Sequence, residues 1–171
     1  MNRTGLCFVL SMLFISWGSH AGQLTNVPHT TPDSRYLVHD DGTVTDAQTG
    51  LMWKVCSEGE VWSEEACSVG STPLLFTWSE AHLQANNSEF AGYSDWRLPN
   101  YKELASLLDH SRDDPAINLN IFFNSPSENY WSSTAGLSYD RNAMHVNFAT
   151  GSAYFSGLES VYRVRLVRGG Y

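Results

Sequence analysis

The chain has 171 residues, 42% of them hydrophobic and 13% aromatic, with only 16% charged. That balance excludes a disordered chain, and the length suits one domain with its own core. A formal charge of −8 at pH 7 opposes non-specific binding to polyanions, so no nucleic-acid partner is expected.

The first residues read as a signal peptide, residues 1–21. Arg3 supplies the charge, Leu6 to Trp17 is almost wholly apolar, and Ser19-His20-Ala21 sets small residues at a cleavage position. The apolar run is short for a membrane span, and Cys7 lies too near its start for a lipoprotein anchor. Cleavage after Ala21 removes Arg3 and leaves a more acidic chain, residues 22–171. The expected address is exported: periplasmic, cell-surface or extracellular. No other segment reads as membrane-spanning.

Residues 22–35 are polar, with Pro28 and Pro32, and read as a flexible lead. Residues 36–171 read as one domain. Asp41-Gly42 and Thr49-Gly50 are turn signals, which places short strands over Tyr36–His39, Thr43–Asp46 and Leu51–Lys54. The acids Asp40, Asp41 and Asp46 lack the ligand ladder of a calcium loop and read as turn chemistry. Lys54 to Pro73 reads as irregular and held by Cys56 and Cys67. Two cysteines in an exported chain are most simply a structural disulfide; a metal site needs more ligands, and a redox pair usually stands closer together.

Thr77 with Glu80, and Asn100 with Glu103, each form a capping-box pattern and start two helices. Trp78, Ala81 and Ala85 mark the apolar stripe of the first helix, and His82 lies beside it as a half-buried polar residue. Asn86-Asn87-Ser88 is a weak glycosylation sequon. Leu104, Leu107 and Leu108 mark the stripe of the second helix. Between the helices, Pro99 holds Leu98 extended, so Asp95–Leu98 is a short extended piece feeding a capped helix. Trp96 then faces the core, and Arg97 pairs at the junction with Asp95 or another nearby acid. An always-charged arginine makes a clamp there, not an acid–base catalyst.

Asp109 to Asn120 is an acid-rich loop that reads as solvated, with a cation at Asp109, Asp113 and Asp114 as the alternative. The last third is β-rich: Tyr130–Thr134, Asn142–Phe148, Ser152–Phe155 and Tyr162–Arg168. In the second of these, Met144, Val146 and Phe148 alternate with Ala143, His145 and Asn147, so one face is expected in the core and the other free.

Several pieces in order resemble one family: "GTVTDAQTGLMW", the pair Cys56 and Cys67, "GYSDWRLPNYKELASLLD", "YWSST", "VNFATG" and "VRLVR". Together they resemble the C-terminal domain family of the Legionella collagen-like protein, over about Tyr36 to Arg168. The resemblance implies an α+β, C-type-lectin-like fold: two helices packed on a small twisted antiparallel sheet, with long loops. Trp53, Trp96, Arg97 and Trp131 are then structural. It also implies a binding function, since the namesake domain is an adhesin for host glycans and related proteins read ligands with the strands between a "WSS"-like motif and a terminal "VR" strand. No collagen-like Gly-x-y repeat precedes the domain here, and the Glu-Pro-Asn and Trp-Asn-Asp motifs of calcium-dependent lectins are missing.

Catalytic patterns are sparse. No Gly-x-Ser-x-Gly elbow occurs, and the histidines show no paired metal spacing. A formylglycine-generating enzyme, a relative by fold, needs reactive cysteines in the C-terminal half, where there are none. The reading is therefore a non-enzymatic binding module without cofactor or metal, its partner a glycan or a cell-surface protein. The candidate ligand-binding residues are Tyr139, Asp140, Arg141, Asn142, His145, Asn147 and Tyr154, a mix that stacks on a ring and bonds its edges. Arg141, Arg163, Arg165 and Arg168 form a basic patch for a sulfated glycan, or else Arg163 and Arg165 pair with acids from earlier loops. The alternative functions are a structural envelope or pilus-associated subunit without a small ligand and, ranked after it, an enzyme related to formylglycine-generating proteins.

Overall fold

The computed structural model describes residues 22–23, 27–63, 66–70, 74–137 and 141–170; the expected leader and the candidates Tyr139 and Asp140 lie outside them. The described chain is α+β, with two short helices among small antiparallel sheets. Its first strands are β1 (Gly22–Gln23), β2 (Tyr36–Val38), β3 (Thr43–Asp46), β4 (Met52–Lys54), β5 (Glu60–Ser63) and β6 (Ala66–Val69). Helices α1 (Trp78–Asn86) and α2 (Tyr101–Ala105) follow, then β7 (Arg112–Asp113), β8 (Asn129–Ala135), β9 (Asn142–Asn147), β10 (Ser152–Gly157) and β11 (Val167–Arg168).

The turns set the first sheet, in the order β11-β4-β3-β2. Gly42 adopts φ +81°, and Asp41 Oδ1 accepts from the Thr43 amide and hydroxyl at 3.0 and 2.6 Å. A Cβ on Gly42 would lie 2.6 Å from the Trp62 ring, so glycine is required for packing as well as for its φ. At the next turn the buried Asp46 carboxylate accepts from Gln48 N, Thr49 Oγ1 and Arg35 Nε. The acids at Asp41 and Asp46 are thus spent on turn geometry.

Both capping boxes are present. Thr77 and Glu80 bond reciprocally at the start of α1, and Asn100 and Glu103 at the start of α2. Ala81 and Ala85 on α1 are buried, and α2 buries Leu104; Leu107 and Leu108 continue that apolar row in the turns beyond Ala105. Two apolar clusters result. One gathers Val44, Trp53, Leu104, Ile117, Phe122 and Phe148; the other gathers Ala81, Trp96, Leu98, Trp131, Val164 and Leu166. Trp53 and Trp131 are completely buried, as their structural assignment requires.

Four expectations need correction. The stretch after Lys54 is not irregular throughout: β5 and β6 form a hairpin in which Trp62 pairs with Cys67. Cys56 and Cys67 are joined by a disulfide with Cα atoms 5.4 Å apart. The Asp109 loop is not merely solvated. Asp109, Ser111 and Asn118 are fully buried, because this loop closes against the lead: Thr30 N donates to Asp109 Oδ1, and Asn118 Nδ2 donates to Thr31 O and Asp33 Oδ1. The lead itself is correspondingly tied down from His29 to Arg35, and β1 pairs with β7. Finally, Tyr162–Arg168 is not one continuous strand. Arg163 bridges to Tyr130 of β8 in parallel, Val167 bridges to Arg97, and the Lys54 amide donates to Leu166 O. This segment passes between the two larger sheets, which is why Arg163 to Val167 are all buried and simple alternation fails.

Arg97 acts at that crossing as a clamp. Its Nη1 and Nη2 donate to the two Glu103 carboxylate oxygens, each at 2.8 Å, and Nη2 also donates to Gly169 O at 2.8 Å. Asp95 pairs instead with Arg168 at 2.7 Å. Trp96 is 3% exposed, its indole N–H donating to Phe90 O.

Candidate functional site

The second large sheet, in the order β10-β9-β8, carries the candidate residues. Register sets Trp131 of β8, His145 of β9 and Tyr154 of β10 side by side on one face. Tyr162 closes over them, 4.6 Å from Trp131 and 4.7 Å from His145 by ring centroids. The expectation that His145 stands on a free face is therefore wrong: it is 4% exposed, and its Nδ1 makes no hydrogen bond. Period-two alternation failed because Tyr162, distant in sequence, covers that face. Burial among rings lowers the His145 pKa and favours the neutral imidazole.

Tyr154 is the exposed end of this ring row, 52% accessible on the outer strand, and Phe155 on the opposite face of β10 is 53% accessible. Arg141 is exposed at the end of β9, at φ +40°, with an exposed and hence weak ion pair to Glu159 at 3.4 Å. Four strand positions separate its level from that of Tyr154, roughly 13 Å. Asn142 is half-buried at the start of β9, and its carbonyl accepts from Gly136 N. Asn147 is committed to the fold: Nδ2 donates to Asn129 Oδ1, and Oδ1 accepts from the Thr150 amide and hydroxyl. So the structure keeps Arg141 and Tyr154 as exposed candidates, places His145 beneath Tyr154, and uses Asn147 in a turn. Sequence reasoning missed Phe155 and Leu137, the latter 93% exposed just after the "YWSST" strand. The signal for Phe155 was available, since an uncharged strand ending a sheet displays both of its faces.

The arginines do not make a basic patch. Arg163 pairs with Glu128 at 2.8 Å and Glu60 at 3.4 Å. Arg165 is completely buried, donating to Lys54 O, Val55 O and Ser125 Oγ and lying over the Phe122 ring. Arg168 packs on Tyr93 and pairs with Asp95.

His29, Asp109 and Ser111 match a hydrolase triad by residue type. Ser111 Oγ lies 2.7 Å and Asp109 Oδ2 lies 3.2 Å from the same His29 nitrogen, Nδ1. A relay needs them on opposite nitrogens. Ser111 is also fully buried and donates to Asp109 Oδ1 at 2.6 Å, so this trio anchors the lead and does not present a nucleophile. Burial would raise the Asp109 pKa, but the bonds from Ser111, Thr30 and Arg112 outweigh it and hold the carboxyl well below the usual range. Cys56, Glu60 and Cys67 cluster at metal-ligand distance, but the two sulfurs are bonded to each other and offer no thiolate.

The geometry defines a small, disulfide-stapled α+β domain displaying aromatic side chains on an outer strand. The family model of the Lcl C-terminal domain matches residues 42–168, and the chain belongs to that family. No curated protein matches it. Among the described residues, no helix is long and apolar enough to cross a membrane.

Proposed function

We propose that this protein is an exported, non-enzymatic binding module that recognises a glycan or a protein surface through the β10 side of the second sheet. The observation carrying this reading is Tyr154: a half-exposed ring at the end of a row formed by buried Trp131 and His145 and half-buried Tyr162. A ring held by other rings loses little entropy on binding and suits stacking against a sugar face or an apolar loop. Exposed Arg141, farther along the same sheet edge, offers a hydrogen-bonding group to an extended ligand. Membership of the Lcl C-terminal domain family supports a C-type-lectin-like fold and an adhesive role. The disulfide fits an oxidising, extracytoplasmic address. A neutral glycan or a protein fits better than a sulfated chain, because Arg163, Arg165 and Arg168 are engaged internally.

A glycan array probed with the protein, with and without calcium, tests this reading. Selective binding of a few related glycans supports it. Uniform background on glycans, together with no binding to intact cells, would leave the structural-subunit reading instead.

A further inference from the structure

Strand β10 is the open edge of the second sheet. The β8 edge is closed, since Trp131 N donates to Arg163 O and Arg163 N donates to Asn129 O. At the β10 end, Leu158 N donates to Arg141 O, and the register runs on from Gly157↔Asn142 to Ser152↔Asn147 without a shift. Alternation along an antiparallel ladder then turns the backbone groups of Ser152, Tyr154 and Ser156 toward β9, and those of Ala153, Phe155 and Gly157 outward. Among the described residues, the amides and carbonyls of Ala153 and Phe155 meet no backbone partner on that outer side. Exposed edges are ordinarily blunted by a lysine, a proline or a bulge. The β10 strand has none of these, and Ala153, Tyr154 and Phe155 are all exposed. The outer strands of the first sheet are shorter, and β11 carries Arg168.

We propose that β10 pairs antiparallel with β10 of a second copy of this chain, joining the two sheets about a two-fold axis at Phe155. Two conditions fix that register. Residues opposite one another share a face of the sheet, so the residue on the two-fold axis meets itself. That residue must also turn its backbone groups outward, and Phe155 is the middle one of those that do. Phe155 then meets the partner's Phe155, Ala153 meets the partner's Gly157, and Tyr154 meets the partner's Ser156. Each ring faces its like or a small residue, and no charge opposes a like charge. The charged residues at the end of the strand, Arg141 and Glu159, pair with each other. This self-matching favours a second copy over a foreign strand. The net charge of −8 opposes approach only at long range and is screened at about 0.15 M salt. Pairing through the edge leaves both Tyr154 rings on one open face, as diagonal neighbours roughly 7–8 Å apart. The inference goes beyond the ring-recognition reading and does not depend on it.

Sedimentation velocity over a range of protein concentrations, in about 0.15 M salt, tests the proposal without any glycan present. A single strand edge is smaller than an ordinary stable interface, so the expected result is a weak monomer–dimer equilibrium, with Kd about 10–500 μM. Phe155→Lys sets two like charges opposite each other and should weaken dimerisation at least about tenfold. Its side chain is exposed, so Tm should stay within about 2 °C of wild type. Amide hydrogen exchange by NMR supplies a readout in the native sequence: protection of the Ala153 and Phe155 amides should grow with protein concentration. A monomer at every concentration up to about 1 mM, well above that Kd range, overturns the proposal. So does a dimer whose Kd is unaltered in Phe155→Lys, or one that leaves the Ala153 and Phe155 amides unprotected, since either places the interface elsewhere. Association that continues past the dimer also overturns it. Protection of these amides in a monomer by an added, uncharged Thr-Val hexapeptide would assign the edge to a foreign strand instead.

Discussion

Replacing Asp109 by alanine removes the carboxylate on which the lead and the 109–120 loop converge. In the native chain it accepts from Thr30 N, Ser111 N, Ser111 Oγ and Arg112 Nε, and it is completely buried. The variant leaves the Arg112 guanidinium and two amides without their acceptor. Breaking a buried charged network of this kind costs about 3–5 kcal/mol. For a domain of this size that lowers Tm by roughly 10–15 °C. The sign of the pH dependence follows from the depressed Asp109 pKa. The stabilisation is fully present above the unfolded carboxyl pKa of about 4 and is lost as pH falls toward the lower folded value. Thermal melts followed by circular dichroism at pH 7 and pH 3 provide the assay. Asp109→Ala should melt far below wild type at pH 7, with the gap narrowing at pH 3. A variant melting within about 2 °C of wild type at pH 7, less than 1 kcal/mol, refutes the reasoning.

Trp96→Ala should cost about 3–5 kcal/mol in denaturant melts, as large buried aromatic truncations do; a wild-type midpoint would show that the ring is not a core anchor. Arg97→Lys cannot reproduce the two-oxygen grip on Glu103 together with the bond to Gly169 O, and a loss of about 1–2 kcal/mol is expected in the same assay. Reducing the Cys56–Cys67 disulfide should cost roughly 3 kcal/mol, and mass spectrometry after alkylation should find no free thiols in the native protein. The lowered His145 pKa makes stability fall as pH drops below about 6.5, where the unfolded imidazole takes up its proton first. His145→Phe should flatten the Tm profile between pH 7 and pH 5, and an unaltered profile would contradict the burial argument.

Local chemistry made much of the fold legible. Asp41-Gly42, the two capping boxes and Pro99 each act within a few residues, and each is found where the sequence places it. Trp96 and Arg97 were readable because alternation in a short extended piece assigns opposite faces. What the sequence withheld depends on contacts between distant segments. His145 is buried by Tyr162, Asp109 by the lead, and Arg165 by the carbonyls of Lys54 and Val55. The basic residues of the closing segment looked like a patch only because their partners, Glu60, Glu128 and Asp95, lie far back along the chain. On the candidate sheet, Tyr154 and Arg141 are exposed as their residue types suggest, whereas Asn147 is taken up by Thr150 in its own turn and by Asn129 of β8, a partner that alternation along one strand does not reveal.

The binding face is tested most directly by replacing Tyr139, Arg141 and Tyr154 with alanine together, and measuring Tm alongside binding to the glycan or cell surface that the wild type recognises. The account predicts a fall in affinity of well over tenfold, more than about 1.4 kcal/mol, with little change in Tm. Full binding by the triple variant would contradict it and place recognition away from this sheet.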